Sequence, residues 1–331
     1  MTLRLKIALP LTFLMQILVV SKSIAQENFY PVNLLKTDDK YTHHVLVVEK
    51  STHKLLLYRN VQGIPQKVTE YQIATGKNPG NKGFEGDKKT PEGVYELTRF
   101  HDSKELLRQY GDYGKIYGAG AFVLNYPNVI DRRLGKTGGG IWLHSTDDES
   151  RISKGLDSRG CVVVNDNNLR DVAKYIDLDA RTTIVTVETL EFWKQSTWEK
   201  NRDKINQMLM TWLKNWNDLN INAYLSHYNR EEFRDENNKN FRHWNEHKTR
   251  IFANSKMVNV NMENLSYIWH QGLVYVNFDQ KFSSSLKSDV GRKKLILKQN
   301  DAYEWKIISE SWEELRITRD LAFTPSQRFF K

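Results

Sequence analysis

The stretch SRGCVVV, residues 158–164, contains Cys161, the only cysteine in a chain of 331 residues. The valine run after it favours a short buried β-strand, and Gly160 before it permits a tight turn. At such a turn, backbone N–H groups near Cys161 can point to one spot, as the oxyanion of an acyl transfer requires. The same pattern also fits a buried and inert thiol, because free cysteine is among the most buried residue types.

The N-terminal segment, residues 1–25, has the three parts of a secretory signal peptide. Arg4 and Lys6 precede an apolar run from Ile7 to Val20, and small residues lead up to Ala25. The run is shorter than the about 20 apolar residues of a membrane-spanning helix, so an uncleaved anchor is the less favoured alternative. We expect cleavage after Ala25 and a periplasmic location. A single cysteine in an exported protein has no internal disulfide partner and is either inert or reactive.

The composition indicates a folded protein with a moderately basic surface. Lys and Arg outnumber Asp and Glu by 49 to 40, the hydrophobic fraction is 39%, and there are nine tryptophans. A positive excess suits an anionic partner such as nucleic acid, anionic lipid or cell wall. The cations are dispersed, however, and are not interleaved with aromatics as in proteins that bind single strands, so we expect no nucleic-acid partner.

Two patterns divide the chain after a polar lead-in at residues 26–42. Residues 43–188 are predicted to form short strands with glycine-rich turns, beginning with a hairpin at 45–59, and one clear helix at 165–178. Residues 189–331 begin with a charged amphipathic helix and continue with strands that alternate apolar and polar residues. Helices followed by strands predict a separate α+β domain.

His144 stands seventeen residues before Cys161, at the end of GGGIWLHS. If the strand ending at His144 and the strand starting at Cys161 are neighbours, the imidazole can take the thiol proton. An imidazole in that role needs a partner that fixes its tautomer, and the backbone carbonyl of Ser145 is the nearest candidate. A Cys–His pair alone remains a weak signal, because the pairing depends on the fold.

Four motifs in the same order resemble the L,D-transpeptidase catalytic domain, the YkuD-like family. The resemblance covers residues 43–188. One of the motifs is S-x-G-C-V, which a histidine precedes by the same spacing as in the family. The motifs are LVVEKSTHKLLLY (46–58), GDKKTPEGVYEL (86–97), LNYPNVIDRRLGKTGGGIWLHS (124–145) and SRGCV (158–162). The resemblance implies a mostly β catalytic domain, a β-sandwich or barrel with one or two helices and a cysteine in a groove.

The resemblance also implies roles for individual residues. Cys161 would be the nucleophile, His144 the base, and the Ser145 carbonyl the group that orients the imidazole. The N–H groups of Gly160 and Cys161 would form the oxyanion hole.

We further expect four residues to contact substrate, and we expect no metal and no cofactor. These four are Ser158, Arg159, Trp142 and Tyr126. The chain departs from the family pattern in two places, which leaves its substrate contacts open. Val163 and Val164 continue the strand where many members have arginine, and Ser145 follows His144 where many have glycine.

The family acts on peptidoglycan stem peptides. Cys161 would attack the carbonyl that precedes the terminal D-alanine, so that D-alanine leaves and an acyl-enzyme remains. Water as acceptor would give a trimmed tripeptide, whereas an amine of another stem would give a crosslink. A wall-binding scaffold with an inactive domain is the non-enzymatic alternative.

The C-terminal part resembles an NTF2-like domain, in which helices and a curved sheet form a cone. The segments that carry the resemblance are MLMTWLKNWNDLNINAYLSHYNREEF (208–233) and FRHWNEHKTRIF (241–252). A transpeptidase-like domain followed by an NTF2-like domain is the layout of the cell-shape-determining L,D-carboxypeptidases of helical and curved bacteria. This resemblance favours water as the acceptor, and the cone is expected to bind substrate or a partner or to pair two chains as a homodimer.

Two further motifs suggest other chemistry. HWNEH, residues 243–247, fits the H-x-x-E-H zinc pattern, but the neighbouring cations Arg242, Lys248 and Arg250 disfavour a metal ion. GKTGGG, residues 135–140, lacks the earlier glycine of a phosphate-binding loop. We interpret the first as a packed helix and the second as a wall of the groove.

Overall fold

A computed structural model describes residues 27–285, 287–315 and 323–330. The predicted signal peptide and its cleavage point at Ala25 lie outside the described residues. Within the described residues, no helix has both the length and the apolar character that a membrane crossing would need.

The chain folds into eighteen strands and eight helices within the described ranges. Up to residue 187 these are β1 (Phe29–Pro31), β2 (Leu34–Lys36), β3 (His44–Glu49), β4 (Lys54–Val61), β5 (Ile64–Gln72), β6 (Thr75–Gly76), β7 (Gly93–Asp102), α1 (Ser103–Tyr110), a 3-10 helix (Gly111–Tyr117), β8 (Gly120–Leu124), α2 (Val129–Arg133), β9 (Trp142–His144), α3 (Ser150–Lys154), β10 (Leu156–Ser158), β11 (Val162–Val163), α4 (Asp166–Ala173) and β12 (Thr183–Val187). The rest are β13 (Phe192–Lys194), α5 (Gln195–Asn217), α6 (Ile221–Leu225), β14 (Arg234–Asp235), α7 (Phe241–Asn254), β15 (Asn259–His270), β16 (Leu273–Ser283), β17 (Ser288–Gln299) and β18 (Trp305–Glu314).

An eight-stranded sheet forms the centre of the first domain, in the order β11-β9-β8-β7-β12-β3-β4-β5. Its β3 strand has four consecutive buried apolar residues because both faces of the sheet are covered. Leu46 and Val48 pack into the core that includes α4. Val45 and Val47 pack on the other face, against a core that includes Ile268 of the second domain. The predicted hairpin is confirmed as β3 and β4.

The helices of the first domain were only partly predicted. The side chain of Asn165 caps α4 by accepting a hydrogen bond from the N–H of Asn168, as the predicted helix start requires. Helix α1, which Asp102 caps, and the 3-10 helix after it were not predicted. Together they cover one face of β8 and β9 around Leu106.

The second domain has a six-stranded sheet in the order β14-β18-β17-β16-β15-β2, with α5, α6 and α7 packed on it. The predicted stripe on α5 is buried at Ile205, Leu209, Trp212 and Trp216, which close the inside of the cone. The predicted fold class, a mostly β domain followed by an α+β domain, is confirmed.

The N-terminal lead-in belongs structurally to the second domain. Strand β2 pairs antiparallel with β15, and β1 pairs with β13. The indole N–H of Trp198 on α5 also donates to the carbonyl of Leu34, at 3.1 Å. Strand β2 thus completes the sheet of a domain whose other strands begin some 200 residues later in the sequence, and β1 forms a separate two-stranded sheet with β13.

A buried ionic cluster around Glu96 joins the two domains. Glu96 on β7 accepts hydrogen bonds from Arg292 at 3.1 Å and Lys294 at 2.7 Å, both on β17. Burial by itself would raise the pKa of Glu96, but these two cations hold it below its usual value. Because the partners come from both domains, the cluster fixes one domain against the other.

Candidate active site

The strand that ends at His144 and the strand that follows Cys161 are neighbours in the eight-stranded sheet. β11 runs parallel to β9, with Val162 opposite Leu143. These two side chains lie in the core under α4. Because side chains alternate along a strand, Cys161 and His144 lie on the other face. Cys161 packs there beside Trp142, and His144 follows two positions further along that face.

The ring of His144 is buried and is held in one tautomer. Its Nδ1 donates to the carbonyl oxygen of Ser145 at 2.5 Å. Ser145 is itself fixed, because its Oγ donates to the carbonyl of Tyr117 at 3.2 Å and accepts from the N–H of Ala119 at 2.7 Å. Burial lowers the pKa of His144 to about 4, although the bond to Ser145 acts in the opposite direction. At neutral pH, Nε2 is therefore an unprotonated acceptor.

Cys161 is half-buried, and its thiol donates to the carbonyl oxygen of Gly140 with Sγ 3.4 Å away. Burial raises the pKa of the thiol. The backbone of Trp142 and nearby cations, Arg151 first among them, lower the pKa by a smaller amount. The resting thiol is therefore protonated at neutral pH, and it needs a base in order to react.

The turn before Cys161 requires a glycine. Gly160 has φ +128°, and a Cβ placed there would lie 2.8 Å from the carbonyl oxygen of Lys89. The hydroxyl of Ser158 closes the turn, because it donates to the Cys161 carbonyl at 2.6 Å and accepts from the Gly160 N–H at 3.0 Å. The backbone at Cys161 is thus held from two sides.

The turn also shows how two of the predicted site residues are bonded. Ser158 is buried, and its hydroxyl bonds to the backbone within the turn and supports Cys161. The N–H of Gly160 is engaged by Ser158, so this N–H is not directed towards an open site. The N–H of Cys161 stays the predicted oxyanion donor.

The glycine-rich loop at residues 77–92 forms one wall beside this turn, and a buried ion pair gives it shape. Asp87 accepts from Lys82 at 2.7 Å and from the N–H groups of Gly83 and Phe84. Burial would raise the pKa of Asp87, but these bonds lower it to about 2. The ammonium of Lys82 also acts on the thiol of Cys161, whose pKa it lowers.

Comparison with protein families identifies both halves of the chain. Residues 43–187 match the profile of the L,D-transpeptidase catalytic domain, YkuD, and residues 204–311 match that of the Cds6 C-terminal NTF2-like domain. The chain carries an L,D-transpeptidase domain. An NTF2-like domain follows it, so the resemblance seen in the sequence motifs is confirmed for both domains. Domains of the first family act on peptidoglycan, which supports the predicted class of substrate.

Solved structures show the same two-domain architecture. The chain is 29% identical to Bd1075 of Bdellovibrio bacteriovorus, with a TM-score of 0.76 over 88% of this chain and 100% of that chain. It is 27% identical to the helical cell shape determining protein Pgp2 of Campylobacter jejuni, with a TM-score of 0.65 over 84% of this chain and 94% of that chain. A search of curated protein sequences finds no significant match.

Within the L,D-transpeptidase domain, the other three predicted substrate residues differ in exposure and in their contacts. Trp142 lies beside Cys161 and packs against Tyr117, with ring centroids 4.9 Å apart. Arg159 is exposed and contacts Tyr113 through its guanidinium. Tyr126, in contrast, is 6% exposed, and its hydroxyl donates to the carbonyl of Thr137 at 3.1 Å. Tyr126 therefore anchors the 135–140 loop and exposes little surface, and its contact with substrate stays a prediction.

Two residues beside the candidate site were missed by the sequence analysis. Arg151, on α3, donates to Asp157 at 2.6 Å and lowers the pKa of both His144 and Cys161. Tyr117 places its ring 5.0 Å from that of His144, at nearly a right angle. Both come from segments whose contact with the site depends on the fold. The sequence contained one indication of this contact, because the oppositely charged Arg151 and Asp157 lie close together in the chain.

The HWNEH motif lies on α7 of the NTF2-like domain. Trp244 packs into the cone. Nδ1 of His243 donates to the side-chain oxygen of Asn240 at 3.0 Å, and Arg242 donates to Glu246 at 3.2 Å. Among the described residues, no group of three or more His, Cys, Asp or Glu side chains is arranged to hold a metal ion. The arrangement is that of a packed helix with a polar outer face.

Proposed function

We propose that this protein is a periplasmic L,D-carboxypeptidase that removes the terminal D-alanine from tetrapeptide stems of peptidoglycan. The observation that carries the proposal is the position of Cys161 on the same sheet face as a neutral His144, whose Nδ1 proton is bound by the Ser145 carbonyl. This arrangement leaves Nε2 as a base on the face of the sheet where the thiol is half-exposed.

In the first step, Nε2 of His144 takes the thiol proton while Sγ of Cys161 attacks the carbonyl carbon before the D-alanine. Because burial raises the thiol pKa, proton removal and attack are coupled rather than separate. The carbonyl oxygen becomes an oxyanion, for which the Cys161 N–H is the proposed donor. The imidazolium then returns its proton to the leaving amine, the C–N bond breaks, and a thioester remains.

In the second step, water attacks the thioester. His144 takes a proton from the water, and the sulfur leaves and regains a proton, which restores the thiol and releases a tripeptide stem. The Pgp2 structure is described as that of a helical cell shape determining protein. Together with the shared architecture, this supports a role in cell shape. The resemblance of the domain order to the cell-shape-determining L,D-carboxypeptidases favours water as the acceptor.

The test uses the purified chain and a disaccharide-tetrapeptide, with mass spectrometry of the products. We expect tripeptide and free D-alanine from the natural protein, and none from Cys161→Ala or from the closely isosteric Cys161→Ser. New crosslinked dimers would replace this proposal with a transpeptidase. An unchanged substrate would favour a scaffold that binds the wall without cutting it.

A further inference from the structure

A cavity of about 620 Å³ lies between the two domains. The L,D-transpeptidase domain supplies Asn81 and Arg133 to its wall, and the NTF2-like domain supplies Arg234 and His270, whereas Cys161 does not line it. Its volume is within the about 300–1,000 Å³ of small-molecule sites, and such sites often lie between domains.

Two guanidinium groups in this cavity form their hydrogen bonds with neutral groups of the protein. Arg133 donates to the carbonyls of Ile308 and Arg234 and to the hydroxyl of Ser309, at 2.9 to 3.1 Å. Arg234 donates to two backbone carbonyls of its own segment, among them that of Glu231. Neither guanidinium forms a salt bridge within the part of the chain that the structure describes.

The remaining charged groups of the cavity pair with one another or with neighbours. Lys136 binds Asp131 at 2.9 Å, and Lys298 binds Glu232 at 2.8 Å. Glu92 binds Lys50 at 2.8 Å. After this pairing, a net positive charge remains at Arg133 and Arg234. Burial and the charge of Arg234 lower the pKa of Arg133, although the carboxylate of Glu232 acts in the opposite direction.

His270 adds an unsatisfied polar atom to the same wall. It is 5% exposed, and its Nε2 is buried without a hydrogen-bond partner among the described residues. Buried polar atoms of folded proteins are nearly always bonded, so such an atom indicates a missing partner. Burial and the charge of Lys136 lower the pKa of His270 to about 4, so at neutral pH the ring is a neutral donor or acceptor.

We propose that this cavity binds a carboxylate-bearing segment of peptidoglycan that is not itself cut. Guanidinium groups match carboxylates with paired N–H donors, and Arg133 and Arg234 lack such a partner. His270 supplies a further hydrogen bond. The choice of ligand rests on the function proposed above, because stem peptides end in free carboxylates, whereas the positive and polar character of the cavity stands without it.

The cavity and the catalytic groove share one layer of loops. The N–H of Thr137 donates to the carbonyl of Gly83 at 3.1 Å, which joins the 135–140 loop to the 77–92 loop. Lys136 of this layer faces the cavity, and Gly140 accepts the thiol of Cys161. A wall segment held in the cavity would therefore keep a neighbouring stem close to the groove.

The test measures binding of a disaccharide-tetrapeptide to the full-length Cys161→Ala protein by calorimetry, so that no cutting occurs. We expect two sites per chain, of which Arg234→Gln weakens one by about tenfold or more, since a hydrogen bond to a charged group is lost. The backbone carbonyl that Arg133 uses is kept in this variant. The matched control is Arg242→Gln, which removes an exposed arginine on α7 and should leave both sites unchanged.

His270→Phe is the second variant, because it removes the unpartnered nitrogen and keeps the bulk of the ring. We expect the melting temperature to stay the same or rise while the second site weakens, since no protein hydrogen bond is lost. A single site in Cys161→Ala that neither variant alters would overturn the proposal. Inorganic phosphate is the anion control, and an Arg234-dependent site that takes phosphate but no muropeptide would also overturn it.

These results separate the two proposals. Binding at an Arg234-dependent site supports the cavity even if the natural protein releases no D-alanine. Release of D-alanine with one site per chain supports the carboxypeptidase and removes the cavity from its substrate path.

Discussion

The candidate groove and the inside of the cone both contain buried titratable groups, but these groups differ in whether their partners lie within the protein. In the groove, Cys161 is half-exposed and His144 keeps Nε2 as a free acceptor on the same face of the sheet. In the cone, Lys293 binds Glu310 at 2.5 Å, and the hydroxyl of Tyr228 donates to Glu310 at 2.6 Å. In the cone, the carboxylate of Glu310 is bonded within the protein, whereas the groove leaves polar atoms that can bond another molecule.

Aromatic rings complete the closure of the cone. Lys248 is buried with its Nζ 4.4 Å from the ring centroid of Trp244 and 4.9 Å from that of Trp216. Burial lowers the pKa of Lys248 to about 8, although Glu310 acts in the opposite direction. A buried charge without a partner costs several kcal/mol, so removal of one member of this cluster should destabilise the domain. This difference suggests that the groove serves chemistry and that the cluster in the cone serves stability.

The largest expected effect is the loss of the base in the groove. His144→Gln should lower kcat for D-alanine release by about a thousandfold, because general base catalysis contributes about 10²–10⁴. The melting temperature should change little, since the amide can still donate to the Ser145 carbonyl. His243→Gln, on the exposed surface of α7, is the control. Equal activity of the two variants would contradict the assignment of His144.

In the cone, the matching change should affect stability. Glu310→Gln leaves Lys293 and Lys248 without their carboxylate, which should cost about 3–5 kcal/mol of unfolding free energy in urea. Glu263→Gln removes the carboxylate of the half-exposed pair with Lys281 and should cost less than about 1 kcal/mol. Similar costs for both variants would show that the cone does not depend on its buried pair.

A smaller effect is expected from the turn that holds the nucleophile. Gly160→Ala forces a side chain into a φ of +128° and against the Lys89 carbonyl, so the turn must shift. A displacement of about 1 Å costs about a hundredfold in rate, which steady-state kcat would reveal. Gly63→Ala is the control, since its φ is also positive, at +84°, but its nearest atom is 3.8 Å away. Loss of activity in both variants would point to general strain.

The smallest change within the physiological range should come from pH. Because burial lowers the pKa of His144 to about 4, the base is unprotonated above that value, and it is lost as pH falls through it. We expect kcat/KM to be constant between about pH 5 and 8 and to decrease below about pH 5, where His144 becomes protonated. A fall centred near the ordinary histidine pKa of about 6.5 would refute a buried neutral imidazole.

Local patterns predicted the elements whose formation depends on nearby residues. The β3–β4 hairpin, the Asn165 cap of α4 and the apolar stripe of α5 follow from alternation, capping and helical periodicity, all of which act within a few residues. The sequence also predicts Cys161 as nucleophile and His144 as base, with the family resemblance supplying the pairing, and this assignment stays a prediction.

Other features depended on contacts between distant parts of the chain. Ser158 and Tyr126 were predicted to touch substrate, yet their hydroxyls are bonded inside the protein. Arg151 and Tyr117 were missed, because nothing in their own segments indicates that they fold over His144. A side-chain hydroxyl carries the same sequence signal whether its partner is substrate or backbone.

The sequence by itself determined the two domain types and predicted a reactive pair at Cys161 and His144, because motif order and periodicity are properties of short stretches. Only the tertiary structure decided that β2 completes the sheet of the second domain, that the cone closes on its own charges, and that Arg133 and Arg234 meet between the domains. These outcomes require residues far apart in the chain to be brought together, and local preferences do not encode the distances between them.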